Sequence, residues 1–121
     1  MLSAILLMCA MHAAECRTLD AQHIASAIDD ATDAPELRAV LVVYSYHESH
    51  WTVRPRAESW DARTGIARGP LQLWGEAGML PLRDQCRAWL HNVQASSLAA
   101  VDSSPSRAYR RAAEARALLG E

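Results

Sequence analysis

The chain has no phenylalanine and no lysine; all of its 12 basic side chains are arginine. Neither sign of charge dominates. The 12 basic and 14 acidic side chains leave a net charge of −2 with no basic stripe, which disfavours nucleic acid as a partner. Cysteine is sparse: Cys9, Cys16 and Cys86 do not fall at zinc-ligand spacing. The run His47-Glu48-Ser49-His50 is one residue too short for a zinc-protease helix, whose two histidines lie four apart with the Glu between them. No metal and no cofactor is expected. The apolar stretch Met1 to Ala14 is too short to span a bilayer as a helix, which takes about 20 residues. Repeats and low-complexity segments are absent.

What the chain does have is enough apolar material for one modest core. Half of the 121 residues are hydrophobic, which argues against disorder and for one domain. The patterning predicts an all-α fold of five or six helices around a cleft, with little or no sheet. Met1 to Glu15 reads as a first core helix, or as a short secretory segment without the usual positive start. In Asp20 to Ala31, the residues Ile24, Ala27, Ile28 and Ala31 share one face. Asp33 is placed to cap the next helix and Pro35 to occupy its first turn. Thr52 to Gly69 reads as loop with one hairpin-like turn, and Pro70 to Glu76 as a short helix. Leu82 to Leu98 is a long helix that gathers Cys86, Trp89, Leu90 and Val93. A turn at Asp102 to Pro105, with Ser104 or Ser106 as cap, leads into a last helix ending near Leu119. Its arginines Arg107, Arg110, Arg111 and Arg116 read as a solvated face. Cys16 and Cys86 are either buried free thiols or, in an oxidising compartment, a pair.

The chemistry concentrates between residues 44 and 75. Leu37, Leu41, Tyr44 and Glu48 are spaced four, three and four, so Glu48 continues a stripe that must face the core. A carboxylate there loses hydration, and desolvation favours its proton-carrying form. Glycosidic cleavage needs such a group to protonate the leaving oxygen. Downstream, Gly65 and Gly69 permit positive φ and close approach by a ligand, and Leu71, Leu73 and Trp74 are placed to anchor the loop with Gln72 directed at the cleft. Indole faces stack on sugar rings, so Trp51, Trp60 and Trp74, which flank the two motifs, are candidate platforms as well as core residues. Asp61 and Glu58 are candidate second acids. His47 and His50 are expected to line a polar cleft. Arg54, Arg56, Arg63 and Arg68 are the cations expected nearest to Glu48.

Glu48-Ser49 at a helix end, followed by Gly65-Ile66-Ala67-Arg68-Gly69-Pro70-Leu71-Gln72, resembles the active-site core of lytic transglycosylases and related lysozyme-like enzymes. In that family a Glu-Ser pair closes a helix, and a Gly-Ala-x-Gly-Leu-x-Gln segment shapes the glycan cleft. The resemblance covers roughly residues 18 to 119, with the division falling between an N-terminal segment 1–16 and a lysozyme-like domain 17–121. Two departures stand out. The separation between the motifs is enlarged by Thr52 to Thr64. The family's Tyr-Asn turn before the last helix is replaced by Val101-Asp102-Ser103-Ser104-Pro105.

The resemblance implies cleavage of peptidoglycan glycan strands by a monomer, with Glu48 as general acid and base and the substrate's own N-acetyl group assisting. It implies Ser49, Gly69, Gln72, Trp74 and Trp51 as substrate-side residues. If residues 1–14 are a signal, the site of action is periplasmic or secreted; otherwise it is cytoplasmic and phage-encoded, or virion-associated. The competing expectations are a non-catalytic glycan-binding or virion structural module that keeps the fold, and an unrelated helical interaction domain.

Overall fold

The computed structural model of the protein describes residues 2–54, 60–61, 65–95 and 97–121. Among them are six α-helices and three short strands: α1 (Ala4–Met11), α2 (Leu19–Ala31), α3 (Pro35–Ser49), β1 (Trp60–Asp61), β2 (Gly65–Arg68), β3 (Leu73–Trp74), α4 (Leu82–Ala95), α5 (Leu98–Val101) and α6 (Pro105–Leu118). The fold is all-α with little sheet. The strands form one antiparallel ribbon in the order β1-β2-β3, with Trp60 opposite Ile66 and Ala67 opposite Trp74. Single 3-10 turns span Glu15–Arg17 and Gly75–Met79. Among the described residues no helix is long and apolar enough to cross a membrane.

α3 is the central element. It buries Ala39, Leu41, Val42, Val43, Tyr44 and Ser45, because α1, α2 and α6 all pack against it. α1 enters the core through Ala4, Leu7 and Met8. α2 starts where the Thr18 side chain accepts from the Ala21 N–H, satisfying one of the donors a helix N-terminus leaves open. Arg38 is buried but well supplied with acceptors: its guanidinium reaches the carbonyls of Thr32, Asp29 and Leu2 and the Asp29 carboxylate. It ties α1, α2 and α3 at one end of the molecule.

Several local expectations change. Asp33 does not cap α3; the N-cap is Ala34 with no side-chain bond, and Asp33 instead lies 3.5 Å from Arg38 Nη2. Residues 70–76 are not a helix. Gly69 and Gln72 adopt positive φ, +77° and +52°, and the Gln72 N–H closes on the Gly69 carbonyl at 3.0 Å, so this stretch turns β2 back into β3. Left-handed backbone at both ends of a short turn is incompatible with a helix. The cysteines differ too. Cys9 and Cys16 form a disulfide, and Cys86 is the buried free thiol. The free-thiol expectation holds for Cys86 alone; Cys16 is neither free nor paired with Cys86, because the turn after α1 brings Cys9 within a Cα separation of 5.1 Å.

The chain leaves α3 abruptly. His50 and Trp51 both take left-handed backbone, φ 52° and 56°, which is costly for side-chain-bearing residues. Packing holds them there. Trp51 is 1% exposed and its Nε1 donates to the Val42 carbonyl at 3.1 Å. Ser49 accepts from the Thr52 N–H and donates to the Ser45 carbonyl at 2.8 Å. The helix end that carries Glu48 is thus fixed from within.

Candidate active site

A cleft of about 700 Å³ opens beside the C-terminal half of α3. Glu48 and Tyr44 of α3 form one wall. Leu71, Gln72, Leu73 and Trp74, from the turn and strand, form the opposite one. Trp89 and Asn92 of α4, Asp102 and Ser103 of the turn before α6, and Arg107 in its first turn line it as well. The two sequence motifs therefore meet: Glu48 and Gln72 line the same cavity.

Glu48 is half-buried, its side chain 30% exposed, and it is not alone. Arg111 of α6 donates from Nη1 to Glu48 Oε1 at 2.8 Å. The Arg111 side chain is 11% exposed and its guanidinium lies 4.8 Å from the centre of the Tyr44 ring, close enough for a cation–π contact. Of the loop arginines expected near Glu48, Arg56 and Arg63 lie outside the described residues; among the described residues the cation paired with it comes from α6. The reading of α6 as a solvated arginine face holds for Arg110 and Arg116, which are exposed, and is corrected for Arg107 and Arg111, which pair with Asp102 and Glu48. Residues 108, 111 and 115 are spaced three and four, and Ala108 and Ala115 are buried, so Arg111 sits on the inward stripe. That spacing was a signal available in the sequence.

Asp102 is the second carboxylate of the cleft. It is almost fully buried. Its Oδ1 accepts from Arg107 Nε at 2.9 Å, from Arg107 Nη2 and from the Ser104 N–H; its Oδ2 accepts from the Tyr44 hydroxyl at 2.8 Å. Burial pushes this carboxyl up, but the bonds from Arg107, Tyr44 and the Ser104 backbone, with the Arg107 charge, outweigh it and hold the group below its ordinary value. The same contact raises Arg107, and burial together with the Asp102 hydrogen bond pushes the Tyr44 phenol up. The expected second acids do not fill this role in the described structure: Glu58 lies outside the described residues, as does the side chain of Asp61, of which only the backbone pairing with Gly65 is described.

The remaining site residues divide. Gln72 lines the cleft, with its Nε2 held by the Gly69 carbonyl at 3.0 Å. Trp74 lines it too and is 41% exposed, a free indole face and not the anchor expected; Leu71 is the buried anchor. Trp51 is a core residue. Ser49 serves the helix end through the two bonds already described and does not line the cleft. Gly69 does not offer its backbone to a ligand either, since a Cβ there would lie 2.1 Å from Gln85 Oε1. The glycine exists to let α4 approach the turn. Gly65 opens β2 and is not part of a loop. Trp60 belongs to β1, and its side chain lies outside the described residues. His47 and His50 turn away from the cleft: His47 Nε2 contacts Glu114 Oε2 at 2.8 Å, and His50 is largely exposed with Nδ1 3.8 Å from Glu15 Oε2. Among the described residues no group of His, Cys, Asp or Glu is arranged to hold a metal.

The sequence reading missed Tyr44, Asn92 and Asp102 as cleft residues. Tyr44 comes from α3 and Asn92 from α4. No protein-family model, curated protein or solved structure matches this chain.

Proposed function

We propose that the protein cleaves the glycan backbone of peptidoglycan, with Glu48 as the proton donor. The observation that carries this reading is the meeting of Glu48, Gln72 and Trp74 in one cleft large enough for sugar rings. Glu48 gives its proton to the glycosidic oxygen as the C–O bond breaks. The substrate's N-acetyl oxygen supports the developing sugar cation, a recognised route that needs no carboxylate nucleophile. Glu48 then takes a proton from the sugar's own hydroxyl, leaving an anhydro end, or from water, leaving a hydrolysed one. Gln72 and Asn92 offer amides to sugar hydroxyls, and the Trp74 face offers a stacking surface.

The second reading is a glycan-binding module without turnover. It is favoured by the Glu48–Arg111 contact, which occupies one of the oxygens that would carry the proton. Digestion of purified peptidoglycan, with mass analysis of the released fragments, separates the two. Wild type should release anhydro or reducing-end fragments, and Glu48→Gln should lower that rate by about 10²-fold or more. Binding to the insoluble glycan with no release by wild type would replace the enzyme reading with the binding one.

A further inference from the structure

One nitrogen of Arg111 faces two carboxylates. Its Nη1 lies 2.8 Å from Glu48 Oε1 and 3.7 Å from Asp102 Oδ2. The guanidinium cannot swing freely, because the Tyr44 ring lies against it and the side chain is nearly buried. Asp102 is in turn immobile, pinned by Arg107, the Ser104 N–H and the Tyr44 hydroxyl. A cation shared between a fixed anion and a half-exposed one is divided according to their relative pull.

We propose that Asp102 is a positioning residue for Glu48: its charge draws on the same Arg111 nitrogen and so limits how much of that cation's charge the Glu48 carboxylate receives. The proposal rests on Glu48 being the group that works. It gives a physical reason for a buried acid in the place where the family pattern has Tyr-Asn. Without Asp102, Arg111 would belong to Glu48 alone, and its Nη1 would stay against the oxygen that has to carry the proton. When a glycan enters, Arg111 has a second anion to lean on, and Glu48 is released without stranding a buried cation, which would be costly.

Among the described residues the charged and titratable groups around this pair are few. α3 contributes Tyr44 and, one turn along on the outer side, His47, which is engaged by Glu114 of α6. α6 contributes Arg107, committed to Asp102, and Arg111. The walls from the β2–β3 turn and α4 contribute Gln72, Trp74, Trp89 and Asn92, none of them charged.

The test follows the Arg111 guanidinium signals by NMR against pH, a readout that does not depend on turnover. In the wild-type protein those signals change as the carboxylate they contact takes up a proton. Asp102→Asn should move that midpoint to lower pH by about one unit, the usual size of a charge effect at this range. Tyr44→Phe removes the hydroxyl bond to Asp102 but keeps its charge, and should leave the midpoint within a few tenths of a unit. An unmoved midpoint in Asp102→Asn, or equal movement in both variants, overturns the proposal and leaves Asp102 a structural residue. Should Asp102→Asn fail to fold, Glu48→Gln decides: its Arg111 signals must keep an acid transition contributed by Asp102, and a flat trace overturns the proposal. Peptidoglycan release is measured separately on the same wild-type sample, so a protein that cleaves nothing refutes the cleavage reading without touching the Arg111 result.

Discussion

Arg111 and Glu48 are 63 positions apart in sequence and in direct contact, Nη1 to Oε1, at 2.8 Å. The pair joins the end of α3 to the middle of α6. Arg111→Met keeps the length of the aliphatic stem and removes the cation. If Glu48 is the proton donor, the basic limb of the pH–rate profile for glycan release should move to higher pH, because no guanidinium then favours the ionised acid. The fold should lose about 1–3 kcal/mol, the range for a charge-assisted hydrogen bond, read from the urea midpoint. A profile unchanged by the substitution would detach the ion pair from turnover.

Asp102 makes stability depend on pH with a definite sign. Its folded carboxyl titrates below its unfolded value. The unfolded chain therefore binds this proton first as pH falls, and the stabilisation is complete above the unfolded value, about 3.9. It is lost as the pH drops from there through the folded value. Wild type and Asp102→Asn should differ most in thermal midpoint at pH 6 and converge towards about pH 2. A constant gap across that window would mean that the charge on Asp102 is not what stabilises.

Gly69→Ala tests the close approach of α4. The backbone there has φ +77°, and the new methyl carbon would fall 2.1 Å from Gln85 Oε1. Strain at a left-handed position adds to the displacement of a buried amide, for a loss of about 1–3 kcal/mol. Gln72 and Trp74 are carried on the same turn, so, if the protein takes glycan as proposed, glycan binding should weaken along with stability. Trp74→Ala gives the complementary result: lost glycan affinity at nearly unchanged stability, since the indole is largely free of the core. Titration against solubilised glycan, alongside a thermal melt, distinguishes the two.

The cysteines predict a thiol count. Burial pushes the Cys86 thiol up to about 12, and only the thiolate reacts. Native protein should therefore titrate no thiol with a disulfide-exchange reagent, and denatured, unreduced protein one. Reducing Cys9–Cys16 opens a loop of sequence separation 7 and should lower stability by about 2–3 kcal/mol on the chain-entropy account. Two or three reactive thiols in denatured, unreduced protein would refute the pairing.

Elements with strong periodicity were readable from sequence. α2, α3, α4 and α6 end close to where their apolar spacing and caps placed them, and the stripe Leu37-Leu41-Tyr44-Glu48 does bring Glu48 to a cleft with Gln72. The failures have local causes. Pro70 reads as a helix starter, but Gln72 takes a left-handed conformation that no propensity favours, and a hairpin results. Trp51 looks like a sugar platform beside the acid, yet the left-handed pair His50-Trp51 folds its indole under α3. Arg111 and Asp102 were missed because their partners are distant. A charge on a helix is read as solvated unless something far away in sequence receives it, and here the receivers lie on α3 and in the turn before α6. The Cys9–Cys16 link depended on a 3-10 turn that composition does not announce.

The dependence of the cleft on α6 has a consequence for the order of synthesis. α1, α2 and α3 form a continuous stretch that can pack as it emerges from the ribosome, placing Glu48 early. Its partner Arg111 and the two anchors Asp102 and Arg107 come more than fifty residues later in the chain. Until they emerge, the acid is present but the cavity lacks the side that α6 and the turn before it supply. The cleft of a nascent chain therefore stays incomplete until a single late step, when the sixth helix docks.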